Sequence, residues 1–183
     1  MPQAGGVDAD PLVVTLALDQ DSQAGFDALR RTHFPPERNV LAAHVTLFHA
    51  LPGRLVPQVL ADVDDAARRP PFAVEVTGLR PLGRGVAYVL SSPDLTDVHA
   101  VLRARWLPEL TPQDRRPLRP HVTVQNKVAP EVARETLRQL AARPLPSPVT
   151  ACGIAVWWYR GGPWEPVRTA AFSPRRDPTT HGA

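Results

Sequence analysis

Residues 42–51 read "AAHVTLFHAL" and residues 118–127 read "LRPHVTVQNK". The tripeptide His-Val-Thr stands in both, as His44-Val45-Thr46 and His121-Val122-Thr123. In an extended strand residues i and i+2 point to one face. His44 and Thr46 are therefore expected side by side, as are His121 and Thr123, with Val45 and Val122 turned toward a core. The chain holds 6 His and 12 Thr among 183 residues, so chance gives only about 0.4 His-x-Thr triplets. Here there are two, each with Val at its centre and each followed by an apolar residue, Leu47 or Val124.

Outward from these stretches the chain alternates between strand and helix periods. Residues 11–18, "PLVVTLAL", read as a buried strand. Asp19, Asp21 or Ser22 is placed to cap a helix over 21–33, with Phe26, Ala28 and Leu29 as its apolar face. The first motif falls in a strand over 43–49. "RLVPQVLADVDDAARR" is helical, with Leu55, Val59 and Val63 on one side. "FAVEVTGLRPL" and "GVAYVLSS" read as hairpin partners. A helix over 94–107 comes next, capped by Ser92 or Asp94, and then the second motif strand at 120–126. "PEVARETLRQLAA" is a helix with Pro130 in its first turn. Two last strands, 148–159 and 165–172, flank the turn "RGGPW". Each half thus offers a strand, a helix, a His-Val-Thr strand and another helix. The expected fold class is α+β and bilobal. Two similar lobes, each giving one motif strand to a shared cleft, would explain why the tripeptide occurs twice. One domain spans residues 11–172, and the small, polar, Pro-rich ends 1–10 and 173–183 are expected to be disordered.

Composition narrows the classes. With 43% hydrophobic and 21% charged residues the chain is an ordinary globular one. A net charge of +3 permits an anionic ligand without demanding one. Cys152 is the single cysteine, which excludes an internal disulfide and a Cys-based zinc cluster. The first residues, "MPQAGGVDADP", carry no basic and apolar leader pattern, and every apolar run is short. The expectation is a cytoplasmic protein with no membrane association.

If the motif strands face one another, two imidazoles and two hydroxyls share the cleft. Phosphodiester cleavage needs a base for the attacking water and an acid for the leaving oxygen. Histidine titrates near neutrality and serves as either. Threonine hydroxyls can donate to the non-bridging oxygens where charge grows. Arg119, two residues before His121, and Lys127 are candidate phosphate contacts. Phe48 shares the strand parity of His44 and Thr46 and is a candidate to stack on a base. Trp157 and Tyr159, sharing a face in "VWWYRGGPW", and Tyr88 are further candidates; each has a core or surface reading beside the functional one. "DRRPLRP" before the second motif either attracts a polyanion or is a solvated loop. A metal site built from His44, His49 and His121 is disfavoured, because His49 has the opposite parity and faces away.

Together, His44-Val45-Thr46-Leu47 and His121-Val122-Thr123-Val124 resemble the paired motifs of the 2H phosphoesterase superfamily, which includes the 2′-5′ RNA ligase-like proteins and the 2′,3′-cyclic phosphodiesterases. The resemblance covers residues 11–172. It implies two lobes of antiparallel sheet related by a pseudo-twofold axis, with flanking helices around a central cleft, and catalysis without metal or other cofactor, acting on RNA ends or nucleotide cyclic phosphates. It also implies that His44 and His121 are acid and base, with His121 activating water and His44 protonating the leaving oxygen, and that Thr46 and Thr123 hold phosphate. The ligase-like members carry an Arg shortly after the second motif, where this chain has Gln125-Asn126-Lys127. They continue the first motif as Phe-Leu-Gly, where this chain has Phe48-His49-Ala50-Leu51-Pro52. Hydrolysis by a monomer is the leading expectation. The alternatives are RNA 2′-5′ ligation or its reversal, and a non-catalytic RNA- or nucleotide-binding module.

Overall fold

The computed structural model describes residues 10–173, so the two termini expected to be disordered lie almost wholly outside the described residues. The elements are β1 (Leu12–Leu18), α1 (Gln20–His33), β2 (Val45–Leu51), α2 (Val56–Ala66), β3 (Phe72–Pro81) and β4 (Val86–Ser91), then α3 (Pro93–Trp106), β5 (His121–Gln125), α4 (Pro130–Ala141), β6 (Val149–Trp158) and β7 (Glu165–Ala171). All strand pairings are antiparallel. The α+β, bilobal expectation holds.

The strand order is β2-β1-β6-β3-β4-β5, with β7 also on β6. Exchange β1 with β4, β2 with β5 and β3 with β6, and the order reads the same backwards. The chain is therefore two copies of a β-α-β-α-β unit, β1 to β3 and β4 to β6, with β7 appended. The helices agree: α1 and α3 each have 14 residues. One lobe is β2-β1-β6-β7 and the other is β3-β4-β5. They are joined where Phe72–Val74 of β3 pairs with Val149–Ala151 of β6.

Local chemistry explains where the elements start. Asp19 caps α1, accepting from the Asp21 and Ser22 amides at 3.1 and 3.0 Å. Its second oxygen takes the Thr150 amide at 3.0 Å, which ties the helix start to β6. The Ser22 hydroxyl first, with these amides, holds the Asp19 carboxyl at about 2. Ser92 caps α3 at the equivalent place. The apolar face of α2 buries Val59 and Val63. Val45 and Val122 are fully buried, as the strand period requires.

Each long helix packs across the duplication. The α3 side chains His99 and Trp106 lie on Phe48 of β2, with ring centroids at 4.7 and 4.9 Å. The α1 side chain Arg30 reaches β5, donating to the Thr123 carbonyl oxygen at 2.9 Å. The helix of one half thus supports the motif strand of the other. Among the described residues no helix is long and apolar enough to cross a membrane.

Candidate active site

The duplication extends to the hydrogen bonds of the two histidines. His44 Nδ1 lies 2.8 Å from the Ala42 carbonyl oxygen. His121 Nδ1 lies 2.8 Å from the Arg119 carbonyl oxygen. A carbonyl only accepts, so each Nδ1 carries the proton and each neutral ring leaves Nε2 with a free lone pair. Burial pushes both rings below the ordinary histidine value, against the pull of those carbonyls. Arg30, His121 and His49 push His44 down further, and Arg80 and His49 do the same to His121.

Each motif also ends in the same irregularity. Thr46 pairs with Thr15 of β1, but the next pair is Phe48 with Val14, which leaves Leu47 as an extra residue. Thr123 pairs with Ala87 of β4, but the next pair is Gln125 with Val86, which leaves Val124 extra. Each His-x-Thr is therefore closed by a β-bulge, and a bulge reverses the parity of the residues beyond it.

This reversal corrects two expectations. Phe48 does not share a face with Thr46; it is fully buried on His99 and Trp106 and has no surface for a base. His49, expected to face away, instead lines a cavity of about 310 Å³ with Thr46 and His121. Gln125 is likewise turned inward, donating to the Thr136 hydroxyl at 2.8 Å. Tyr88 is a third correction. It pairs with Val122 and shares its core-facing side, is 3% exposed, and packs on Phe26 at 5.9 Å. It is not among the residues that line either of the cavities beside the motif histidines.

The cavity draws on both halves. Thr46 and His49 come from β2, Arg80 from β3, His121 from β5, and Arg116 and Arg119 from the loop before β5. Its one carboxylate is Asp114, which is buried and engaged: it accepts from His49 Nδ1 at 2.9 Å and from the His49 and Ala50 amides at 3.0 and 3.1 Å. Burial pushes the Asp114 carboxyl up, but these bonds outweigh it and leave it below its ordinary value. The cavity is thus lined by three guanidiniums against one carboxylate that is buried and hydrogen-bonded, a field suited to an anion. "DRRPLRP" contributes directly through Arg116 and Arg119. Arg115 does not: it is spent on the Leu110 and Pro108 carbonyls.

His44 opens onto a second cavity of about 360 Å³, shared with Thr15, Gln23, Trp157 and Trp164. The Trp164 ring lies 4.7 Å from the His44 ring, and the Trp157 indole donates to the Thr15 hydroxyl at 2.8 Å. Thr123 is half-buried on β5 beside His121. Tyr159 lies beyond the end of β6, 44% exposed, with its amide on the Pro11 carbonyl. Lys127 is exposed in the turn after β5, at φ 62. Neither stands among the residues lining the two cavities. Among the described residues no group of three or more His, Cys, Asp or Glu side chains is placed to hold a metal ion.

Sequence reasoning did not find His49, Asp114, Arg80 and Trp164. The first depends on the bulge and the next two on pairings across the fold. Trp164 had a signal, its place in the aromatic run after Trp157, but nothing local aims it at His44.

A family model described as the 2′-5′ RNA ligase superfamily matches residues 18–163. No curated protein sequence matches the chain. Among solved structures, TT0787 of Thermus thermophilus superposes with a TM-score of 0.64 at 17% identity, covering 91% of this chain and 100% of that one. E. coli LigT complexed with 3′-AMP superposes at 0.58 with 18% identity, covering 90% and 98%. A structure described as a phosphoesterase gives 0.58 with 20% identity over the same shares. These identities carry the fold alone.

Proposed function

The chain belongs to the 2′-5′ RNA ligase superfamily, and from that premise we propose that it is a phosphoesterase that hydrolyses a 2′,3′-cyclic phosphate on a nucleotide or an RNA end. The observation that carries this reading is the matched pair of imidazoles, each tied through Nδ1 to the carbonyl two residues before it. Each offers Nε2 for proton transfer. The cation-lined cavity supports an anionic substrate, and the 3′-AMP bound to E. coli LigT is a product of this kind.

In the proposed reaction His121 Nε2 takes a proton from water as the water oxygen attacks phosphorus. The protonated His44 gives its Nε2 proton to the departing ribose oxygen. The ring P–O bond breaks, leaving a phosphomonoester on one ribose oxygen and a hydroxyl on the other. Thr46, Thr123 and Arg119 are assigned to the non-bridging oxygens, where charge accumulates in the transition state. A bound phosphate anion also offsets the burial that disfavours the imidazolium, so substrate binding helps charge the acid.

The test is incubation with 2′,3′-cyclic nucleotides, and with a short RNA ending in such a phosphate, in EDTA. The expected result is a single phosphomonoester product. His44→Ala and His121→Ala are each expected to lower kcat by about 10²–10⁴-fold. Turnover within a few-fold of the native protein in either variant overturns the paired-histidine mechanism. Ligation of RNA halves, the activity in the family's description, is the second reading. It predicts a joined product from one half ending in a cyclic phosphate and another with a free 5′-hydroxyl.

A further inference from the structure

We propose that His49, oriented by Asp114, is a third imidazole of the active site and contacts a phosphate oxygen of the substrate through its Nε2. This rests on the phosphodiester reading of the same cavity and extends it to a residue outside both motifs.

Three observations carry the inference. The bulge at Leu47 turns His49 into the cavity that holds Thr46 and His121. The Asp114 side chain, only 1% exposed, accepts from Nδ1 at 2.9 Å and so directs Nε2 away from itself. The His49 side chain is 45% exposed, so its ring is open to the cavity that it lines. The charged and titratable groups around it are Asp114, Arg116 and Arg119 from the loop before β5, Arg80 from β3, His99 from α3 and His121 from β5. All of these but Asp114 are guanidinium or imidazole groups, which an anion would satisfy without displacing Asp114 from Nδ1.

Asp114 also has a purely structural use. It binds the His49 and Ala50 amides and so fixes the loop that carries the arginines to the bulged strand. In that case His49 serves only as one more donor to a buried carboxylate. The two roles use different ring nitrogens, and two amides separate them. The amide nitrogen of Asn reaches where Nδ1 sits, and that of Gln reaches where Nε2 sits.

The experiment compares H49Q and H49N by kcat/KM toward a nucleoside 2′,3′-cyclic phosphate, with thermal melting as the check on folding. If Nε2 holds phosphate, H49N falls by about 10- to 100-fold and H49Q retains several-fold more activity than H49N, even if it melts lower. If His49 only satisfies Asp114, H49N equals or exceeds H49Q, and the proposal is overturned. A second measurement does not depend on turnover: nitrogen NMR of histidine-labelled protein titrated with inorganic phosphate. The His49 Nε2 signal, identified by its loss in H49N, is expected to move toward the protonated position on binding. An unmoved His49 signal while those of His44 or His121 shift overturns the proposal. A protein that hydrolyses no cyclic phosphate but shows the His49 shift removes the proposed reaction and keeps the phosphate contact.

Discussion

Arg30 of the first half and Thr123 of the second motif are 93 positions apart in the chain and joined by one hydrogen bond, guanidinium Nη1 to carbonyl oxygen at 2.9 Å. Arg30 is 4% exposed. Its Nε donates to the Asn39 side-chain oxygen at 3.0 Å, and its guanidinium lies over the Phe34 ring at 4.2 Å. A buried cation with three partners fixes the position of the strand that carries His121. It also stands among the charges that hold His44 down. Replacing Arg30 with Met leaves the Thr123 and Asn39 oxygens without this donor. The expected cost is about 2–4 kcal/mol, read as a melting temperature lower by roughly 5–15 °C. An unchanged melting temperature would show that water replaces the guanidinium freely.

The pH profile is set by the burial of both histidines. The proposed reaction requires one imidazole neutral and the other protonated, so it predicts a kcat/KM that peaks between the two values. Both are lowered from 6.5, first by burial. The maximum of kcat/KM is therefore expected below pH 6.5, with about a tenfold fall per pH unit well above it as the acid loses its proton. Rates measured from pH 4.5 to 8.5 decide this, and a maximum above pH 7 contradicts it.

Gly85 tests the seating of the second motif strand. A Cβ at Gly85 would run into the Gln125 carbonyl oxygen, with Asn126 Cα at 2.6 Å. Both neighbours are backbone, so Gly85→Ala has to move β4 against β5. A loss of about 1–3 kcal/mol is expected, together with reduced turnover because His121 lies on β5. Gly25 is the control. It lies inside α1 with nothing within 4 Å of an added Cβ, so Gly25→Ala is expected to stabilise by about 0.5–1 kcal/mol. Denaturant melts of the two variants should shift in opposite directions.

Asp19 gives an acid-dependent prediction. Its carboxyl sits at about 2 in the fold against 3.8 in the free side chain. A depressed carboxylate contributes stability that is full above the unfolded value and is lost as pH falls through the folded one. Asp19→Ala is expected to cost about 1 kcal/mol near neutrality, as N-cap losses do. The gap between variant and native melting temperatures should close between pH 4 and pH 2. A gap unchanged at pH 2 would assign the effect to something other than the charge.

Much of this was legible in the chain. The spacing of Val59 and Val63, the caps at Asp19 and Ser92, and the repeated motif marked the elements and their duplication. The misses share one physical origin. A β-bulge is a property of pairing between two strands, and nothing in "HVTLFHAL" marks Leu47 as the unpaired residue. Strict alternation therefore put Phe48 in the cleft and His49 outside it, and the fold has them the other way round. Tyr88 failed for a related reason, since its face is set by pairing with Val122. Asp114 lies 65 positions from His49, beyond the reach of any local pattern.

The mirrored strand order also bears on biosynthesis. β1 completes its lobe only with β6, and β4 completes its own only with β3. A nascent chain that has emerged as far as the first motif therefore holds an unfinished sheet, its motif strand paired with β1 alone, and it stays so until residues 149–158 leave the ribosome. The lobe that carries the first motif is thus completed late in synthesis, after the strands of the other lobe have all been made. Two separately expressed halves would have to exchange strands to rebuild both lobes, and neither would carry both motif histidines alone.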